Sequence, residues 1–226
     1  MLFMNWKAQS KLQRKGWALD SKYFNDEGRA AFREADAKPW NALLGTVAIE
    51  VSLPKEASNV PTERILSRTM RKVITNKNKE ENGKLETKTR LVTPGDVDPD
   101  GEIPVEDGGV RIGAPTCPQL AFHIRCAFTV RRRRRMGTFD FQAAFLTGKH
   151  HDRYIYVRPP NDGLPGVPHG SLLKRVKGAY GSREAPRLWY LRAKDVLLES
   201  GLEEMQTARA CFVLRHPTTT RDARHA

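Results

Sequence analysis

The stretch Phe139-Asp140-Phe141-Gln142-Ala143-Ala144-Phe145-Leu146-Thr147-Gly148 decides how the chain is read. It sets one carboxylate, Asp140, in an otherwise apolar run. Such a group is costly to bury unless a cation or hydrogen bonds satisfy it. Taken alone, the run reads as a strand with an edge-facing Asp. Taken with the aromatic five residues on, it reads as a metal-binding strand end with Phe145 as a wall. The local pattern leaves both open.

With 226 residues, the chain is long enough for one sizeable domain or two small ones. A hydrophobic content of 39% and a mean hydropathy of −0.58 predict a thin core. The 39 basic against 26 acidic residues give a formal charge of +13. That balance points to a polyanionic partner, nucleic acid first and an anionic membrane second. No run of about 18 apolar residues occurs, so no membrane span is expected. The cysteines, Cys117, Cys126 and Cys211, are odd in number and form no C-x-x-C pair. They fit a reducing, intracellular setting, cytoplasmic or nuclear, and argue against a disulfide scaffold or a zinc ribbon. The acidic loop around Asp98-Pro99-Asp100-Gly101 lacks the spacing of a helix-loop-helix calcium site.

Outward from Asp140, hydrophobic periodicity predicts a helix from Tyr23 to Leu44, interrupted near Pro39, and a short strand over 47–51. Residues 64–93 read as a basic β-hairpin with Lys88 and Arg90 on its return strand and a turn ending in Asn82-Gly83. The Asp/Pro/Gly-rich stretch 96–113 is loop. A helix opening at Thr116 as its cap runs into Arg131-Arg132-Arg133-Arg134-Arg135. Those arginines suit a helix C-terminus and equally a nucleic-acid contact. His150-His151 reads as a polar turn, and strands are expected at 154–157, 172–176 and 210–214. Pro186 marks a helix start and Gly201 its end. The order is α+β rather than doubly wound.

Four blocks in this order resemble one family, the reverse transcriptases of Ty1/copia-type retrotransposons. They are the helix with Trp40; Lys88-Thr89-Arg90-Leu91-Val92 followed by Gly95 and Asp98-Pro99; Asp140 to Gly148 with Tyr154 to Pro160; and Tyr180-Gly181 with Ala185-Pro186-Arg187-Leu188-Trp189. The resemblance implies fingers and an incomplete palm of a right-hand polymerase over 23–214, with an antiparallel palm sheet packed on helices. It leaves 1–22 as a linker or disordered N-terminal segment and 215–226 as a disordered tail.

It further implies RNA-directed DNA synthesis on a primer–template with dNTP and Mg²⁺. Asp140 would be the catalytic and metal-binding carboxylate, and the Phe141 carbonyl would reach the second ion. Phe145 would wall the pocket against a ribose 2′-hydroxyl. Arg90 would contact the incoming triphosphate, and Tyr180 and Gly181 the nucleotide and template. Lys88 and Arg183 would touch nucleic acid. Pro186 and Trp189 would be structural, Trp189 filling core. Glu184 has no rationale at this level, since it sets a negative charge beside the template. The family's second carboxylate block, aromatic-x-Asp-Asp, would follow Phe212, and no adjacent Asp-Asp pair occurs anywhere in the sequence. The expectation is a chain truncated before that block and inactive alone, with the 210–214 strand lacking its partner. The alternative is a non-catalytic, basic nucleic-acid-binding remnant.

Overall fold

The computed structural model describes residues 26–76, 87–107 and 109–214. The expected linker over 1–22, the hairpin turn at Asn82-Gly83 and the tail over 215–226 lie outside them.

The first helix, α1 (Asp26–Gly45), runs unbroken through Pro39, where the sequence suggested an interruption. It ends in a turn with Val47 at φ 52°, so strand β1 starts later than expected, at Ile49–Ser52. The expected strand from Arg64 to Thr75 is divided. Thr62–Arg64 forms a 3-10 turn, and Ile65 makes one parallel bridge to Tyr156. Only Arg71–Asn76 (β2) pairs with Thr87–Val92 (β3) as the basic hairpin. Alternation puts Lys72, Ile74, Thr89 and Leu91 on the face toward α1. There Asp36 accepts from Thr89 Oγ1 at 2.7 Å and from Lys72 Nζ at 3.3 Å. Lys88 and Arg90 fall on the opposite face.

The central sheet has the order β1-β5-β4 and is antiparallel. Its strands are β1, β4 (His150–Val157) and β5 (Leu172–Lys177). The core lies on this sheet and beneath the hairpin: Trp40, Leu43, Ile49, Leu66, Met70, Leu91, Leu146, Ile155, Val157 and Leu173 are all buried. Trp40 also donates its indole N–H to the Pro165 carbonyl at 3.1 Å, which ties α1 to the 161–170 loop.

The second helix, α2, spans Gln119–Arg131 with Pro118 at its N-cap. Thr116 is therefore not the cap. None of its residues is buried. The third, α3 (Ala185–Glu199), has proline in its first turn as expected and stops at Gly201, φ 82°. Strand 210–214 does not lack a partner. Its Phe212–Leu214 segment (β7) pairs antiparallel with Leu202–Glu204 (β6). The pattern over 202–204 was too short for periodicity to register. Glu204 fixes this hairpin to α3 by accepting from Tyr190 Oη and Lys194 Nζ, each at 2.5 Å, and from the Ala210 amide at 2.9 Å. Those bonds, led by Lys194 and then Tyr190, hold its carboxyl down at about 2.

Beside its side-chain bonds to Asp36, the hairpin is joined to the 178–181 turn through backbone. The Thr93 amide donates to the Tyr180 carbonyl at 2.7 Å. Gly181 sits at φ 88°, and a Cβ there would lie 2.2 Å from Thr93 O. Replacing Gly181 by Ala therefore combines a left-handed strain with a backbone clash. Urea unfolding should show the variant destabilised by about 2–4 kcal/mol. An unchanged midpoint would mean the joint yields freely.

Candidate functional site

Residues 138–141 are not a strand, contrary to the sequence reading. The chain passes Asp140 without regular structure, turns at Ala143 with φ 52°, and closes into a 3-10 turn over Ala144–Thr147. An alternating run such as Phe139-Asp140-Phe141 reads as a strand only if a neighbouring edge can pair with it, and none does among the described residues. What holds the stretch is close backbone packing. A Cβ on Gly178 would stand 2.9 Å from Phe145 O. One on Gly148 would stand 3.0 Å from the Leu188 backbone, and the Lys149 amide donates to Leu188 O at 3.1 Å. The stretch is thus gripped between the 178–181 turn and the first turns of α3.

That grip brings several of the expected residues together. The half-buried rings of Phe145 and Tyr180 meet edge-on at 6.0 Å. Gly181 follows, against Thr93, three residues beyond Arg90 on the hairpin. Asp140 is exposed and forms no ion pair among the described residues. Phe141 is also exposed and packs edge-on against Trp189 at 4.9 Å, with Phe139 on its other side at 5.3 Å. Trp189 is half-buried under Phe141 and does not fill the core. Arg90 is exposed and Lys88 half-buried. Arg183 donates to the Gly101 carbonyl at 2.8 Å, holding the 95–101 loop. From the last residue of α2 onward the five arginines, Arg131 to Arg135, are exposed, and Arg132 and Arg134 lie over the Phe128 ring at 5.4 and 6.0 Å.

Behind these residues lies a buried charge cluster that the sequence reading missed. Between His150 and Ile155 strand β4 bulges away from its register with β5. Alternation along β4 puts His151 and Arg153 on the inward face with Ile155 and Val157. Arg153 grips Asp98 with both terminal nitrogens at 2.6 Å, Asp100 at 2.7 Å and Glu184 at 3.2 Å. Arg64 reaches Asp100 at 3.1 Å. Arg175, with a fully buried side chain, donates to Glu184 and lies 3.9 Å from Asp98. His151 Nδ1 is 3.1 Å from Glu184, and its Nε2 is 2.8 Å from the Lys177 carbonyl. Glu184, unexplained from sequence, is thereby accounted for. It stands at the N-cap of α3 without capping it, because its carboxylate faces two guanidinium groups. The tightly packed His151 is not a turn residue. The available signal was the pairing of acidic residues in a Pro/Gly loop with arginines in otherwise apolar strands.

Burial favours neutral Asp98, yet the bonds and charge of Arg153 outweigh it and hold its carboxyl below the ordinary value. Burial, helped by Arg175, pushes His151 down to about 4. Arg175 Nε and Nη1 and Glu184 Oε2 are buried without a hydrogen bond among the described residues, a pattern that suits a bound water.

A divalent cation needs several hard oxygen ligands. Asp140 is a suitable first one, but no group of three His, Cys, Asp or Glu side chains able to hold a metal exists among the described residues. The carboxylates of the charge cluster are already committed to arginines. The residues described therefore do not by themselves fit a two-ion centre. Nor is any helix among them long and apolar enough to cross a membrane.

The described residues form a mixed fold of helices and antiparallel sheet with a basic hairpin. The family model described as reverse transcriptase (RNA-dependent DNA polymerase) matches residues 49–219, and the chain belongs to that family. No curated protein and no solved structure matches it.

Two outcomes follow from the cluster. Arg175→Met leaves Glu184 a buried charge short of compensation, so urea unfolding should show a loss of about 3–5 kcal/mol. Adding Glu184→Gln should recover part of that loss, and no recovery would mean the arginine acts by packing alone. His151, lowered from 6.5 to about 4, binds fewer protons folded than unfolded across that interval. Its contribution is full above 6.5 and is lost as pH falls to about 4, a difference of about 3 kcal/mol. His151→Gln should flatten this part of the stability–pH curve, whereas the Asp98 contribution is lost only below about pH 3.8.

Proposed function

We propose that this chain supplies the fingers and part of the palm of a Ty1/copia-type retrotransposon reverse transcriptase. It holds a primer–template and a dNTP and does not polymerise on its own. The observation that carries this reading is the convergence of Phe145, Tyr180 and Gly181 at the end of the strand bearing Arg90. The Arg90 guanidinium offers a planar fork to a triphosphate. Phe145 restricts the sugar by volume, and the side-chain-free Gly181 lets the backbone approach a base. Asp140 is the carboxylate of the site, and the Phe141 carbonyl lies beside it in the chain. Magnesium chemistry is the family's mechanism, and the residues here supply one carboxylate toward it. The exposed arginines at 131–135, with Lys88 and Arg183, extend the basic surface toward the nucleic-acid backbone. The single carboxylate also favours a second reading, a non-catalytic nucleic-acid binder that uses the same surface.

Fluorescence anisotropy with an RNA/DNA primer–template duplex tests the shared part. Affinity should fall steeply, linearly in log–log form, as salt rises from about 50 to 200 mM. Added dNTP should bind more weakly to Arg90→Ala than to the parent chain if the polymerase reading holds, and equally if the second reading does. Salt-insensitive or absent duplex binding would overturn both. In primer extension the chain should give no product, and synthesis that disappears in Asp140→Asn would show that it is active alone.

A further inference from the structure

Cys117 and Cys211 are 94 positions apart in the chain, yet the Cys211 thiol donates to the Cys117 sulfur at 3.2 Å. Their settings differ. Cys117 is exposed, between Thr116 and Pro118 in the segment ahead of α2. Cys211 is half-buried where the chain enters β7, with its amide bonded to Ala208 O at 3.2 Å. The hairpin behind it is anchored to α3 through Glu204. The contact therefore joins a loosely held segment to a fixed platform. Cys126, on α2, makes no such contact among the described residues.

We propose that Cys117 and Cys211 form a reversible disulfide by exchange with a small disulfide such as oxidised glutathione, latching the segment ahead of α2 to the β6–β7 hairpin. The Cys117 thiolate attacks a glutathione sulfur, the glutathione S–S bond breaks, and one glutathione thiolate leaves. The Cys211 thiolate then attacks Cys117 Sγ and expels the second. Two protein thiols are oxidised, one small disulfide is reduced to two glutathione thiolates, and the two protons leaving the protein thiols pass through solvent to those thiolates. Exposure makes Cys117 the first nucleophile, because burial, then the neighbouring thiol, pushes Cys211 up to about 11. The second step is intramolecular between sulfurs already in contact, so the low thiolate fraction of Cys211 is offset by proximity.

The latch has a definite consequence. Helix α2 buries none of its residues, and the segment before it is otherwise held by Arg187 donating to the Gly113 carbonyl at 3.0 Å. A bond from 117 to 211 would enclose α2, the Asp140 stretch, β4, β5 and α3 in one covalent loop. In a reducing compartment the latch stays open, and it closes on oxidation.

The sequence makes the test clean, because trypsin places the three cysteines on separate peptides, 112–125, 126–131 and 210–215. The folded 226-residue chain is incubated with oxidised glutathione, quenched in acid, denatured, titrated for free thiols and digested without reduction. Free thiols should fall from three to one, with 112–125 joined to 210–215, and dithiothreitol should restore all three. Cys126→Ser should give the same pair. Cys211→Ser should stop with glutathione on Cys117. The proposal is overturned if all three thiols persist, if Cys117 joins Cys126, or if the parent chain retains a stable glutathione adduct on Cys117.

Discussion

The contact between Arg175 and Glu184, with Arg153, Asp98 and His151 closed around it, is the constraint on which the rest depends. Each ion taken from water costs several kcal/mol, and only near-complete pairing offsets that cost. The pairing here draws on distant parts of the chain. The 95–101 loop gives Asp98 and Asp100, the β4 bulge gives His151 and Arg153, β5 gives Arg175, and the start of α3 gives Glu184. Counting Arg64, three arginines face three carboxylates, and this balance is consistent with a neutral His151. The loop, the sheet and the helix are thereby set relative to one another.

Apolar packing supplies the remainder. Leu173 and Ile155, fully buried in the sheet, and Leu91 and Met70 beneath the hairpin make a continuous core despite the chain's low hydrophobic content. Where side chains would be too large, glycine brings backbones together. Gly95 and Gly181 meet so closely that a Cβ on the first would lie 2.2 Å from the carbonyl of the second. Gly148 and Gly178 do the same around the Asp140 stretch. Main-chain contacts thus add to the side-chain bonds that position the hairpin, the stretch and α3.

Much of this was legible in the sequence where a long period or a strong punctuation mark was available. The Trp40 helix, the basic hairpin, β5 and the Pro186-to-Gly201 helix fall close to their expected places. The misses have local causes. Asp140 sits in an alternating run with no strand edge beside it among the described residues, so the run stays irregular and the 3-10 turn begins only at Ala144. Leu202–Glu204 is too short to show a period, and its pairing with β7 depends on the Glu204 anchor. Glu184 and His151 looked like surface residues because their partners are distant in sequence. A charge in a strand becomes intelligible only once the opposite charge is seen across the fold. The family blocks located Phe145, Tyr180 and Gly181, and the structure brings them together.

The distribution of the charge cluster also bears on how the domain can come apart. Its members arrive from five segments spread between Arg64 and Glu184, and removing any one of them strands a buried charge. Peeling away a single element is therefore nearly as unfavourable as opening the whole. Amide hydrogens of β4, β5 and the first turn of α3 should then exchange together, as one cooperative unit. Helix α2, which takes no part in the cluster and buries nothing, can exchange while that unit remains closed. Among the described residues, the cluster-bound elements and α2 should therefore differ in protection.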